Sequence, residues 1–279
     1  MSLLNKFNSI NNFIYNSDYY ILNCNKREIG YVHVSIAEEI IANIEKVQLL
    51  NRTLYLKEKN KKKLNNLVSE IAKLLVAKKK IDILSGEFFS CLNNISHEEI
   101  FRLDRTLVEY LGIRGYGVHL IAYIKKNNSY KIWVPKRNSN KSIDPSKLDN
   151  TVAGGIKAGE NIYHALKREA NEEAGISSVA LKDAKLVGTL NYNWKKSKYS
   201  VRRDTLFLFE LEVDESFYPI CKDGEVENFV LMDWKKVLKL IQETDNFKIN
   251  CALVTAKFFI RHGLLTDRNE NNYEEIQRF

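Results

Sequence analysis

Three glutamates, Glu169, Glu172 and Glu173, fall within five residues in the stretch GGIKAGENIYHALKREANEEAGI, residues 154–176. If this stretch is helical, at about 100° per residue, Ile162, Ala165, Leu166 and Ala170 form one apolar stripe. Glu169 and Glu173 project from the middle of that stripe, and Glu172 stands at its edge. A solvated helix keeps its charges opposite its apolar face. Carboxylates that share the buried stripe need cations to offset their desolvation and mutual repulsion. Spaced i, i+3 and i+4, the three converge on one volume and offer oxygen ligands suited to Mg²⁺ or Mn²⁺.

The flanks support the same chemistry. Gly154, Gly155 and Gly159 let the preceding backbone turn tightly and approach a metal. Glu160 and Arg168 are placed as an orienting ion pair that holds loop to helix. The order Gly154, five residues, Glu160, seven residues, Arg168-Glu169-Ala170, Glu172-Glu173, Gly175, Ile176 resembles the signature of the Nudix hydrolases, with Ala170 where a larger aliphatic is commoner. That resemblance implies an α/β Nudix fold, an α/β/α sandwich. It also implies metal-dependent hydrolysis of a phosphoanhydride, in which divalent ions neutralise oxygen charge while a water is aimed in line at phosphorus. It further implies that the backbone carbonyl of Ala153 is a metal ligand beside Glu169, Glu172 and Glu173. In this family a base or further ligand often comes from a later loop. Glu225 and Glu227 are the candidates, since residues two apart entering a strand point to the same side; an ordinary acidic turn is the other reading.

A narrower resemblance covers residues 112–263. The segments GVHLIAYI, IWVPKRN, DPSKLDNTVAGGI, DGEVENF and FIRHGLL look like the Nudix branch found fused to thiamine pyrophosphokinase, and the region before them is similar to the one preceding Nudix in those proteins. The resemblance implies hydrolysis of thiamine diphosphate, or its damaged oxo and oxy forms, to a monophosphate and phosphate. A nucleoside diphosphate-type pyrophosphatase shares the whole metal site and is the alternative. An isopentenyl-diphosphate-type isomerase needs a catalytic Cys and a His-built metal site, and neither motif is evident around Cys221 or His119. A ligand-sensing regulator or RNA-binding module is free to lose the carboxylates, all of which are present. Arg137, Lys141 and Lys147 either bind the substrate's phosphates or are solvated loop residues. Tyr116, His119, Tyr123, Tyr192 and Trp194, on strands adjoining the box, are candidates for a substrate-binding wall.

The elements that must position these residues follow from periodicity. From Gly115 the chain reads as strands: Val118 to Ile124, a turn at Asn127-Asn128, and Tyr130 to Pro135. After the box come long strands over Lys185–Trp194 and Arg202–Val213, a strand over Asn228–Met232, and helices over Trp234–Gln242 and Ile249–Arg261. Before residue 110, two strands meet at Asn25-Lys26 and Ser35-Ile-Ala-Glu38 forms a capping box. A lysine-flanked helix carries Leu64, Leu67, Val68, Ile71, Leu74 and Leu75, and Ser96-His-Glu-Glu99 caps a helix running to Tyr110. The expected organisation is a smaller N-terminal α/β domain (1–110), a Nudix domain (111–265) and a frayed polar tail (266–279).

Composition sets the remaining bounds. With 279 residues, 44% hydrophobic and 28% charged, the chain reads as soluble and globular. It has no apolar run of membrane-span length, and its N-terminus is too polar for a signal peptide, so a cytoplasmic protein is expected. The four cysteines are scattered, without CxxC spacing, which fits reduced thiols better than a disulfide or zinc framework. The net charge of +8 is spread evenly along the chain, so the expected partner is a small-molecule diphosphate rather than nucleic acid or membrane. His33 and His97 each stand alone and read as structural or surface residues.

Overall fold

The chain opens on a helix whose partners lie at its other end. In the computed structural model, which describes residues 3–92, 98–127, 129–141 and 143–279, α1 (Leu3–Ser9) buries Leu3 and Phe7. Phe7 meets the ring of Phe279 edge to face at 5.9 Å. These residues share a core with the C-terminal helices, so the expected first domain does not begin at residue 1.

The first sheet follows. β1 (Tyr19–Cys24) and β2 (Arg27–His33) are antiparallel around Asn25 and Lys26, both at positive φ, as a tight hairpin turn requires. α2 (Val34–Asn43) is N-capped by His33, whose Nδ1 accepts from the Ser35 amide at 3.2 Å. The expected capping box at Ser35 is thus replaced by a cap two residues earlier, and His33 is a structural capping residue. β3 (Val47–Leu50) and β4 (Thr53–Leu56) complete the order β2-β1-β4-β3. α3 (Lys61–Ala77), capped by Asn60, buries Leu64, Leu67, Val68, Ile71, Ala72 and Leu75 in the core that this sheet shares with α2.

β5 (Phe88–Cys91) pairs antiparallel with β6 (Phe101–Asp104). A helix was expected across Phe101–Asp104, but Phe101 and Leu103 alternate into the core. The helix α4 (Arg105–Tyr110) starts only at Asp104, whose carboxylate accepts from Thr106 N at 2.8 Å. The expected cap at Ser96, and His97 beside it, lie outside the described residues. Gly30 and Gly112 lock the passage to the second sheet: a Cβ on Gly112 would stand 2.4 Å from the carbonyl oxygen of Tyr31.

The second sheet is built on β7 (Arg114–Lys126), buried along most of its length. With β8 (Ser129–Arg137), β9 (Val152–Gly155), β10 (Lys185–Lys195), β11 (Val201–Glu212) and β12 (Val226–Asp233), it takes the order β10-β11-β7-β8-β12. β9 pairs with β7, antiparallel, and β7 and β11 are parallel. Both faces are covered, as the alternation of side chains requires. Val118, Leu120, Ala122, Phe207 and Phe209 face α5 (Ile162–Ala174). Ile121, Tyr123, Leu206 and Leu208 face α6 (Trp234–Glu243) and α7 (Ile249–Arg261). The result is an α/β/α sandwich. The tail expected to fray instead forms α8 (Tyr273–Arg278), which buries Ile276 in the same core as α1. Among the described residues no helix is long and apolar enough to cross a membrane.

Candidate active site

β9, a glycine loop and α5 position the carboxylates. Asn161 caps α5 by accepting from the amides of Tyr163 and His164, and Gly175 closes it at φ 65°. From the inner face of the helix Glu169 and Glu173 are only 9% and 7% exposed. Glu169 lies directly over Gly154, where an added Cβ would come within 2.0 Å of the carboxyl carbon. Only glycine leaves room there. Glu173 reaches the same strand and accepts from the amide of Ala153 at 2.8 Å.

Arg168 ties this arrangement together. Its Nε and Nη2 donate to the two oxygens of Glu160 at 2.6 and 2.8 Å, Nη2 also donates to the carbonyl of Gly155 at 3.1 Å, and Nη1 donates to Glu169 at 2.6 Å and Glu172 at 3.3 Å. Glu160 in turn accepts from the Lys157 amide at 3.0 Å. One guanidinium therefore spans loop and helix, a geometry that a fork of fixed donors allows.

The electrostatics leave negative charge uncompensated. Burial pushes the Glu173 carboxyl well above the usual range, and the charges of Glu169, Asp149 and Glu225 add to it. Burial also raises Glu169, against the pull of Arg168. Burial opposes ionisation of Glu160 too, but there the Arg168 hydrogen bonds win and its pKa falls. The expected convergence of three carboxylates on one volume is partial: Glu172 is turned to Arg168, and among the described residues no three His, Cys, Asp or Glu side chains form a metal-holding group. A hard divalent cation nevertheless fits, because of the two buried carboxylates Glu169 pairs with Arg168 while Glu173 meets a backbone amide rather than a cation, and the missing side chain of Gly154 clears the backbone beside them. Glu169, Glu172 and Glu173, with the carbonyl of Ala153, are the residues that would hold it.

The later acidic residues differ from the regular alternation expected. β12 carries a bulge between Val226 and Asn228 opposite Arg137 and Lys136, so Glu225 and Glu227 are not successive same-side positions of a regular strand. Glu227 pairs with Lys136 at 2.9 Å. Glu225 pairs with Lys141 and is close enough for its charge to act on Glu173. We predict that Glu225→Gln lowers the turnover rate roughly 10²-fold with substrate affinity little changed, as for a water-activating group, and that Glu227→Gln stays within about twofold. A slow Glu227→Gln beside a fast Glu225→Gln would reverse the assignment.

The expected substrate contacts are largely redistributed. Arg137 is buried, and its donors are taken by Asp149 Oδ2 (2.9 Å) and by the carbonyls of Asp144 (3.1 Å) and Ile143 (2.9 Å). It holds its own loop and does not face a phosphate. Lys147 pairs with Asp144 within that loop at 3.3 Å. His119 is 3% exposed, hydrogen-bonds Asn150 Oδ1 through Nδ1 at 2.8 Å, and is driven by burial down to about pKa 4. Its neighbours Val118 and Leu120 face α5, so His119 points to α7 and is a neutral core histidine. The aromatic wall is not formed. Tyr116 belongs to the core under α5, whereas Tyr123, Tyr192 and Trp194 belong to the core under α7.

Sequence reasoning missed two sets of residues. Asp149, behind the start of β9, accepts from Arg137, Cys251 and Lys248. Burial works against its ionisation, yet Lys248 and Arg137 hold its pKa down to about 2. The alternation of acid and base around DPSKLDN was the available signal. The second set comes from the first sheet's unit. Phe89 stacks its ring where a Cβ on Gly155 would lie, at 2.5 Å, and Ala158 N donates to Phe88 O at 2.8 Å. No local pattern announces that contact.

Comparison with known proteins adds an independent observation. A family model described as a NUDIX domain matches residues 115–252. Nudix hydrolase 20, chloroplastic, of Arabidopsis thaliana is 36% identical over 211 residues, 76% of this chain and 56% of that one. Nudix hydrolase 24, chloroplastic, from the same plant is 34% identical over 71% of this chain and 54% of its own length. The chain thus spans about half the length of these curated relatives. An uncharacterized protein of Saccharomyces cerevisiae is 27% identical over 92% of this chain and 81% of its own. The crystal structure of DR0079 from Deinococcus radiodurans is similar over 61% of this chain and 98% of that one, at 21% identity and a TM-score of 0.49.

Proposed function

We propose, from the premise that this chain belongs to the Nudix family through residues 115–252, that it is a metal-dependent hydrolase of a phosphoanhydride bond in a small organic diphosphate. The observation that carries this reading is the buried pair Glu169 and Glu173 on one helix face, set against a strand cleared by Gly154. Glu169, Glu172, Glu173 and the Ala153 carbonyl would hold Mg²⁺ or Mn²⁺, which when bound would supply charge neutralisation on the phosphate oxygens.

The chain's own residues do the rest. Arg168 and Glu160 fix the distance between the glycine loop and α5, so the carboxylates meet the substrate in one arrangement. Glu225 takes the proton of the attacking water. The new P–O bond forms as the bridging P–O bond breaks, and the leaving monophosphate departs as an oxyanion.

The finer proposal is the substrate: thiamine diphosphate or its oxo and oxy analogues, cleaved to a monophosphate and orthophosphate. Its support is the set of segments from GVHLIAYI to FIRHGLL that resemble the thiamine-associated branch. Steady-state comparison of these compounds with ADP-ribose and nucleoside triphosphates, with product identification, tests both levels. The thiamine compounds are expected to have the higher specificity constants. Preference for a nucleotide would overturn the substrate assignment, and absence of phosphate release from every compound would overturn the hydrolase.

A further inference from the structure

We infer that the groove between α3, the β5–β6 pair and the glycine loop holds the organic half of the diphosphate substrate, so that the first unit of the chain, rather than the second, selects the head group. This rests on the hydrolase reading above.

The groove has a volume of about 700 Å³, within the roughly 300–1,000 Å³ of small-molecule sites. Val68 and Ala72 of α3, Leu84, Phe88 and Leu103 give it an apolar lining. Phe88 is 52% exposed, a large ring left accessible in a concave place, where it can stack on a flat ligand. The lining suits a compact ring system with a polar edge; a second polyphosphate would find too little positive charge there.

Its position gives the occupant. The glycine loop has two faces. On one, Gly154 receives Glu169, and Arg168 binds the carbonyl of Gly155. On the other, Lys157 and Ala158 form the end wall of the groove. Lys157 joins the two faces: its ammonium pairs with Glu87 at 3.0 Å in the groove, while its backbone amide donates to Glu160 at 3.0 Å on the Arg168 side. Arg102, also in the lining, brings Nη2 to 3.4 Å from where a Cβ on Gly159 would stand. A diphosphate at the carboxylate ridge therefore meets Lys157 and Arg102 as it leaves the ridge, and the rest of the molecule runs into the apolar groove. Of the aromatic candidates on the second sheet, Tyr116, Tyr123 and Tyr192 are buried in its two cores and Trp194 packs against one of them.

Ser69 is an exposed residue of α3 in the groove lining, and Leu84, also in the lining, is half-buried. Ser69→Trp fills the groove from an exposed position, and Leu84→Arg charges it at the edge of the core, where Leu84 is only partly buried. Equilibrium binding of thiamine diphosphate, ADP and ADP-ribose to the full chain is measured for wild type and both variants, together with phosphate release and the rise in melting temperature on adding Mg²⁺. We expect the best-bound compound to lose roughly tenfold or more in affinity in each variant, with the Mg²⁺-dependent rise retained. Unchanged affinity in both variants overturns the groove and leaves the hydrolase standing. Groove-sensitive binding without phosphate release by wild type overturns the hydrolase and keeps the groove as a binding site. Failure of wild type to bind any of the three overturns the groove assignment.

Discussion

Glu173→Gln should reduce turnover by roughly 10²- to 10³-fold while leaving the fold intact. The side chain is 7% exposed and accepts from the Ala153 amide, and Gln preserves both its volume and that acceptor. What it loses is the charge that a divalent cation would meet, so the variant should also lose most of the Mg²⁺-dependent rise in melting temperature, a readout independent of substrate. Without metal the effect on stability has the opposite sign. Burial, Glu169, Asp149 and Glu225 raise the carboxyl of Glu173 in the folded protein, so over a window starting near its ordinary pKa of 4.5 the folded state binds a proton that the unfolded chain has released. Stability then falls as pH rises through that window. Glu173→Gln has no such proton to lose. The metal-free variant should match wild type near pH 4 and melt higher at pH 8. A variant with near wild-type turnover at saturating Mg²⁺ would sink the ligand assignment, and one melting lower at pH 8 would sink the electrostatic account.

Arg168→Ala should be the most destabilising single change at the site, by roughly 3 kcal/mol, the low end for breaking a buried pair because the guanidinium is 19% exposed. It leaves Glu160 and Glu169 facing each other across the loop and frees the Gly155 carbonyl. Turnover should fall about 10²-fold as the loop shifts against α5. Arg168→Lys should recover only part of this, since one ammonium cannot replace a fork that serves three carboxylates and a carbonyl at once. Denaturant unfolding of the metal-free proteins checks the first claim. A midpoint equal to wild type for Arg168→Ala would show that the network is not what holds loop to helix.

What the sequence alone determined about this protein is local. The stripe of α5 with Glu169 and Glu173 inside it, the glycines before it and the Glu160–Arg168 spacing all repeat on the scale of one or two helical turns. A helix is dictated by neighbours within four residues. The long strands of the second sheet were legible for a related reason, because near-continuous apolar runs such as those of β7 and β11 announce strands covered on both faces. Tertiary structure decided whatever depended on a distant partner. Phe101–Asp104 became a strand because β5 stands beside it, and the polar tail became α8 because α1 gives Ile276 a surface to bury against. In sequence Arg137 read as a phosphate-binding residue because a free guanidinium suits an anion, and His119 as part of a substrate-binding wall because it lies on a strand among aromatic residues. Folding placed Asp149 and Asn150 within hydrogen-bonding distance and closed them from solvent. The bulge at Glu227 and the contact of Phe89 with Gly155 are of the same kind. A residue's chemical type is carried by the chain, but its desolvation and its partner are set by contacts far away in sequence, and those decide which charged groups remain free to act.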